Sequence, residues 1–225
     1  MGFSRVTEPA PIPEAEDLTS HMAGIGMNFA AQPHWNANIE DTLFRASELG
    51  MLSHDFRVLS VLTTWLGVHH ARINADRLVR VVSGDNRERL RAYWAAIAQW
   101  LDKDRRFQRL RSLYDRPYVD LLPTGTDFQL ERRGVDPRFE GSPLRVPEGT
   151  LRDRPSDVAT PELLVKHHRG YRNRVLMGSG WRADVWTVLE DAPDISVAEA
   201  ARRSYASFAT AWQVSQDFQL YRIAE

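Results

Sequence analysis

Proline is distributed unevenly along the chain, and this distribution limits where long helices can form. Six of the twelve prolines fall within residues 116–159. Because proline lacks a backbone N–H and clashes with the preceding helical turn, a stretch this rich in proline forms no long helix. The chain therefore divides into a segment before residue 116, a connector and a segment after it. The prolines of the connector are Pro117, Pro123, Pro137, Pro143, Pro147 and Pro155.

The segment before the connector carries apolar residues at helical spacing over residues 38–115. This pattern predicts an N-terminal helical domain of about five packed helices. Asn38 and Asn74 each precede an apolar periodic run, as helix N-caps do. Gly50 is expected to end the first helix in a left-handed conformation, and Ser53 to cap the second helix.

Two other segments lack this periodicity. Residues 1–37 are rich in proline, glycine, alanine and acidic residues, which predicts an extended lead-in. Within the connector, the stretches "YVDLL" and "DFQLERR" flank the turn signal "PTGT". We therefore expect an irregular connector over residues 116–159 with minor β-structure, in which these two stretches pair as short strands.

Helical signals return at residue 160 and continue to the end of the chain, which predicts a C-terminal domain over residues 160–225. One helix is expected to run from Pro161 to the "MGSG" stretch, with Thr160 as its cap. Three further helices are predicted at about 181–190, 196–204 and 207–221.

Small and apolar residues in the last two helices indicate that these helices cross closely. Ala200 and Ala201 on the first would face Ala211 and Val214 on the second, and only a tight turn separates the two helices. Ser207 stands where an N-cap of the last helix is expected. Ser196, with Glu199 three residues later, is expected to form a capping box at the start of the helix before it.

The stretches "SVAEAARR" and "SFATAWQV" carry a resemblance to a known family. With the tight turn between them, they resemble the helix-turn-helix DNA-binding domains of bacterial regulators. That family often has glycine in the turn, where this chain has Tyr205. The resemblance implies a C-terminal three-helix unit whose last helix enters the major groove of double-stranded DNA.

The outward residues at the start of such a recognition helix would contact bases, because glutamine, serine and threonine can bond to base edges. Arginines on the neighbouring helices would contact phosphates. The expected base-side residues are Ser207, Phe208, Thr210, Gln213 and Gln216, with Trp212 near the DNA backbone, and the expected phosphate-side residues are Arg202, Arg203, Arg169, Arg172 and Arg174.

Two functions stay open at this point. The resemblance implies a sequence-specific transcriptional regulator, in an antitoxin-like or defence-associated setting, that dimerises to match a palindromic site. Alternatively, the chain is a noncatalytic interaction or scaffold protein that docks a protein partner through its helical body. The charge distribution fits this alternative, because residues 1–71 hold three basic and eight acidic residues whereas residues 72–116 hold twelve and six.

Several functional classes have no support in the sequence. The chain has no cysteine, which excludes disulfides, thiolate metal sites and cysteine catalysis. The histidine pairs His69–His70 and His167–His168 point in different directions on a helix, so neither predicts a metal site. We expect no enzyme activity and no cofactor. The absence of a long apolar stretch or a signal-peptide pattern predicts a cytoplasmic protein without membrane association.

Overall fold

The computed structural model describes residues 15–224, and this part of the chain is mainly helical. The mainly α fold class is thereby confirmed, with two short strands as the β-structure of the described residues. The helices are α1 (Ala15–Gly24), α2 (Ile39–Leu52), α3 (Phe56–His69), α4 (Ala75–Ser83), α5 (Glu88–Trp100), α6 (Gln108–Arg111), α7 (Thr126–Arg133), α8 (Pro161–His167), α9 (Arg169–Met177), α10 (Trp181–Asp191), α11 (Val197–Ser204) and α12 (Phe208–Ala224), and the strands are β1 (Val119–Asp120) and β2 (Leu144–Arg145).

Helices α1–α6, α8 and α9 share one hydrophobic core with parts of the connector, and we call residues 15–177, which include α7, the body. Its centre holds Trp65 of α3 and Trp94 of α5, both fully buried. Each indole N–H donates a hydrogen bond, Trp65 to the carbonyl of Ile25 at 2.7 Å and Trp94 to the Ser47 hydroxyl at 3.0 Å. Burying one large apolar side chain contributes about 1.5–3 kcal/mol, so this core is the main source of stability.

Two of the predicted caps are confirmed. The Asn38 side chain accepts the backbone N–H of Asp41 at 3.1 Å, and the Asn74 side chain accepts that of Arg77 at 3.2 Å. These bonds satisfy N–H groups that have no partner within the first turn of a helix. The starts of α2 and α4 are therefore fixed by local sequence.

The predicted boundary between α2 and α3 is wrong in two respects. Gly50 does not end α2, which continues to Leu52. This glycine instead lets α3 approach, because a Cβ at position 50 would lie 2.5 Å from the Leu59 side chain. The cap of α3 is Asp55 rather than Ser53, since the Asp55 carboxylate accepts two backbone N–H groups of the first turn at 3.1 and 3.0 Å.

The expectation of an extended lead-in over residues 1–37 is wrong where the chain forms the helix α1. The part of this expectation that concerns residues 1–14 lies outside the described residues. Met22 on α1, together with Ile25 and Met27 just after it, is buried in the body core. The segment thus forms a helix because its few apolar side chains pack against the apolar surface of α2 and α3.

Of the two stretches predicted to pair as strands in the connector, one contains a strand and the other forms a helix. The "YVDLL" stretch contains β1, whose partner is the parallel strand β2. The "DFQLERR" stretch is not a strand; it forms most of α7. Gly125 and Gly134, at φ 72° and 82°, flank this helix on either side. The Asp127 carboxylate in the first turn interacts favourably with the positive end of the helix dipole.

The helix predicted from Pro161 to the "MGSG" stretch is two helices, because the chain turns at His168. The His168 ring accepts the backbone N–H of Tyr171 at 3.0 Å and so caps α9. Leu164 of α8 and Tyr171 of α9 belong to the body core. The predicted domain over 160–225 is therefore smaller: only α10, α11 and α12 share a separate core, and we call residues 181–224 the three-helix unit.

Candidate nucleic-acid interface

The three-helix unit is built around alanines. Its helices lie within three residues of the predicted bounds. Alanine side chains at the contact let α11 and α12 approach closely, which is the packing that their sequences predicted. The buried side chains of this core are Val185, Leu189, Ala200, Ala201, Ala206, Ala211, Val214 and Phe218.

The predicted cap of α11 is present. The Ser196 hydroxyl accepts the backbone N–H of Glu199 at 3.2 Å. The Glu199 carboxylate does not return a bond to the cap; it accepts hydrogen bonds from Arg202 at 2.6 Å and Arg203 at 2.7 Å. These two guanidinium groups lower the pKa of Glu199 to about 2.

The turn between α11 and α12 spans residues 205–207 and contains backbone strain. Tyr205 has φ 60°, in the left-handed region that side-chain-bearing residues rarely adopt. Its ring lies against the body, with the Arg77 guanidinium carbon 3.7 Å from the ring centroid. The Ser207 hydroxyl then accepts the backbone N–H of Thr210 at 3.1 Å, which is the predicted cap of α12.

The outward face of α12 begins directly after this turn. Phe208 and Trp212 are 55% and 53% exposed, and they line a shallow surface depression of about 460 Å³ together with Ala209 and Gln213. Ser207, Gln213 and Gln216 are also exposed, and Thr210 is half-buried. The structure therefore places the five predicted base-side residues and Trp212 together at the start of α12, with Ser207 as its cap.

Four of the five predicted phosphate-side arginines are at the surface, each near a carboxylate. Arg202 and Arg203 in the last turn of α11 share Glu199. On α9, Arg169 pairs with Asp191, and Arg172 lies 3.8 Å from a carboxylate oxygen of Glu190. An anion that binds these arginines must compete with acidic groups of the same unit.

The prediction that Arg174 contacts phosphates is wrong. This arginine is 3% exposed, so its guanidinium group does not reach the surface. It donates to Glu40 of α2 at 2.6 Å and to Asp184 of α10 at 2.7 Å. Asn74 donates to the second Asp184 oxygen at 2.7 Å. Arg174 thus connects the body to the three-helix unit and takes no part in a phosphate-binding surface.

Sequence reasoning missed two of the contacts that hold the unit on the body, namely the pair of Arg77 with Tyr205 and the bonds of Arg174. A local signal existed for the second contact. Arg174 follows Tyr171 by three residues, which places the two side chains on one inward helix face. No local signal identified Arg77, because its partner lies at the other end of the chain.

Among the described residues, no group of three histidine, aspartate or glutamate side chains lies close enough to hold a metal ion. His69 and His168 are buried and bond to the body, His69 to the Tyr171 hydroxyl at 2.9 Å and His168 to the Ala37 carbonyl at 3.0 Å. Burial lowers the pKa of each to about 4, so both rings are neutral at physiological pH.

Within residues 15–224, no helix combines the length and the apolar character needed to cross a lipid bilayer. The chain was also compared with models of protein families, with curated proteins and with solved structures, and none of them matches it.

Proposed function

We propose that the three-helix unit binds double-stranded DNA with sequence specificity and that the chain acts as a transcriptional regulator of the bacterial helix-turn-helix type. One observation carries this proposal. The first turns of α12 present their polar side chains outward, while α10 and α11 pack against the opposite face. A helix supported in this manner can enter a major groove without rearrangement of its core.

The exposed side chains of α12 provide the chemistry for direct readout. Gln213 and Gln216 carry an amide that can bond to both N6 and N7 of adenine. The Ser207 hydroxyl can bond to a base edge or a phosphate, and Phe208 can contact a thymine methyl group. Gln213 is the central residue, because it is exposed in the middle of this face of α12.

The arginines of α11 supply the electrostatic part of the interface. Arg202 and Arg203 lie immediately before the turn, on the flank of the recognition helix. Both are exposed, so their bonds to Glu199 are weak in water and can be exchanged for bonds to phosphate oxygens. This exchange makes binding strongly dependent on salt concentration.

A binding series tests the proposal. Genomic fragments retained by the protein are sequenced to find the preferred site, and fluorescence anisotropy then measures affinity for that site and for unrelated DNA. Gln213→Ala should weaken binding to the preferred site by about 1–3 kcal/mol and reduce the preference. Gln219→Ala is the matched control, since it removes an exposed glutamine from the same helix outside the first turns.

Arg203→Ala provides the complementary measurement within this series. It should weaken binding to all sequences alike and lower the salt dependence by about one unit of slope. If Gln213→Ala and Arg203→Ala both leave DNA affinity unchanged in a folded protein, α12 is not a recognition helix and the proposal is wrong.

A second candidate function is noncatalytic docking of a protein partner, and one observation favours it. The largest exposed side chains on the first turns of α12 are the apolar Phe208 and Trp212. Moreover, residues 181–224 hold four arginines against six acidic residues, so the unit as a whole does not attract DNA. Retention of random genomic fragments without enrichment would favour docking. The expectation of a homodimer stays a prediction under either function.

A further inference from the structure

We propose that a cavity at the start of α3 binds a small phosphorylated molecule. This proposal does not depend on the proposed DNA binding. The cavity has a volume of about 500 Å³, within the range of about 300–1,000 Å³ typical of small-molecule sites. It lies between the chain that follows α1, the first two turns of α3 and the last part of the connector. Its lining consists of Asn28, Phe56, Arg57, Ser60, Val61, Thr150, Arg152, Arg154 and Asp157.

The walls of this cavity are fixed to one another by hydrogen bonds. The backbone N–H of Asn28 donates to the carbonyl of Asp157 at 2.8 Å. The backbone N–H of Arg152 donates to the Ser60 hydroxyl on α3 at 3.1 Å. All three segments of the lining are therefore held in place before a ligand arrives, which lowers the entropic cost of binding.

The cavity carries uncompensated positive charge. Arg57, Arg152 and Arg154 form no salt bridge with any residue in the described part of the chain. The lining includes one acidic residue, Asp157, so three cations face one anion. Arg57 is held at the rim by Phe29, whose ring centroid lies 5.4 Å from the guanidinium carbon.

Two further carboxylates come close in sequence, and both are engaged elsewhere. Asp55 caps α3 through two backbone N–H groups. Asp153 stands between the two connector arginines, but its carboxylate accepts a hydrogen bond from Thr64 at 3.2 Å and is not part of the lining. The arginines of the cavity are therefore free to bind an external anion.

The lining indicates which anion fits. The guanidinium group presents a planar set of N–H donors that matches the oxygens of a phosphate. Thr150 and Asn28 add neutral polar groups that can bond to sugar hydroxyls, and the Phe56 ring adds an apolar wall. The ligand is therefore a phosphate monoester on a sugar or nucleoside rather than a bare inorganic anion.

Isothermal titration calorimetry of the full chain tests this proposal with AMP and ribose 5-phosphate as probes. Adenosine and ribose are the controls that lack the phosphate. We expect saturable binding of at least one phosphorylated probe and none of the controls. The double variant R152Q/R154Q should weaken binding by at least about tenfold, because two charge-assisted contacts are lost.

A matched variant and a DNA titration make the result decisive. R132Q/R133Q removes two neighbouring exposed arginines at the end of α7, outside the lining, and should bind the probe as the unmodified chain does. The proposal is overturned if neither phosphorylated probe binds at millimolar concentration, or if R152Q/R154Q binds it with unchanged affinity. It is also overturned if R152Q/R154Q loses affinity for an unrelated DNA duplex instead of the probe, since the arginines would then contact a nucleic-acid backbone.

Discussion

The body and the three-helix unit differ in where they place their largest side chains. The largest fully buried side chains of the described residues, among them Trp65, Tyr93 and Trp94, lie in the body. The unit fills its interior mainly with alanine and valine, and it exposes Phe208 and Trp212. The body is thus organised for stability, whereas the unit is organised to bring two helices close together and to present large side chains to a partner.

This difference explains why the unit is attached to the body by polar contacts. A core of small residues removes little apolar surface from water, so the unit is only weakly stable by itself. Asp184 contacts Asn74 and Arg174, and Tyr205 contacts Arg77. These contacts also fix the direction in which α12 points relative to the body.

The largest expected effect comes from a charge placed in the alanine core. Ala211→Asp buries a carboxyl between α11 and α12. Keeping that group protonated at neutral pH costs about 4 kcal/mol, and overpacking adds about 1–3 kcal/mol. We expect the three-helix unit to unfold while the body stays folded, as seen by loss of hydrogen-exchange protection in α10–α12 alone.

Ala209→Asp is the matched control for this experiment, because Ala209 is exposed on the same helix. Its exchange pattern should stay that of the unmodified chain. Loss of protection across the body in Ala211→Asp would show that the two regions unfold as one, and that the unit contributes more to overall stability than its core suggests.

The next largest effect concerns the buried connection between the regions. Arg174→Ala leaves Asp184 buried without its cation and leaves Glu40 only the more distant Arg77, 3.9 Å away. Breaking a buried ion pair in this way typically costs about 3–5 kcal/mol. Urea denaturation should show this loss. Arg172→Ala, on the exposed side of the same helix, should change the free energy of unfolding by less than about 0.5 kcal/mol. Equal effects of both substitutions would contradict the assigned role of Arg174.

The sequence was most informative where local chemistry decides the structure. Helical spacing predicted the helices of both regions, and the caps at Asn38, Asn74, Ser196 and Ser207 formed as expected. Each cap depends on residues within one turn of the chain. The outward face of α12 was predictable for the same reason, since helical geometry alone decides which side chains share a face.

Local chemistry was insufficient where distant segments decide the structure. The helix α1 forms because it covers the body core, and the chain breaks at His168 because that ring bonds to the Ala37 carbonyl. The burial of Arg174 depends on carboxylates from two distant helices. Proximity of this kind is a product of the whole fold, so single-sequence periodicity does not contain it.

A smaller effect is the pH dependence of stability that histidines cause. It belongs to the body, because all seven histidines precede residue 181. Burial keeps the pKa of His69 and of His168 at about 4 in the folded chain. Their unfolded pKa is about 6.5, so their contribution to stability is complete above that value and is lost as the pH falls towards 4. Between about pH 7.5 and pH 5.5 the two rings together should destabilise the fold by about 2–3 kcal/mol.

Urea denaturation at both pH values measures this loss, with the exposed His54 changed to glutamine as the control. His54→Gln should keep the full pH dependence, whereas His168→Gln should lose about half of it. An unfolding free energy that does not change between the two pH values would refute the assigned neutrality of both rings.

The smallest effect isolates the strained residue at which the two regions meet. Tyr205→Ala removes the ring from Arg77 and keeps a side chain at positive φ, so it should lower stability by about 1–2 kcal/mol. Tyr205→Gly loses the same contact but relieves the left-handed strain, which returns about 1 kcal/mol. The glycine variant should therefore be more stable than the alanine variant by about 1 kcal/mol in urea denaturation. If the alanine and glycine variants are equally stable, the strain at this turn is negligible. If the glycine variant is more stable than the unmodified chain, the contact with Arg77 contributes less than the strain costs, and other contacts, among them the Asp184 bonds, hold the unit on the body.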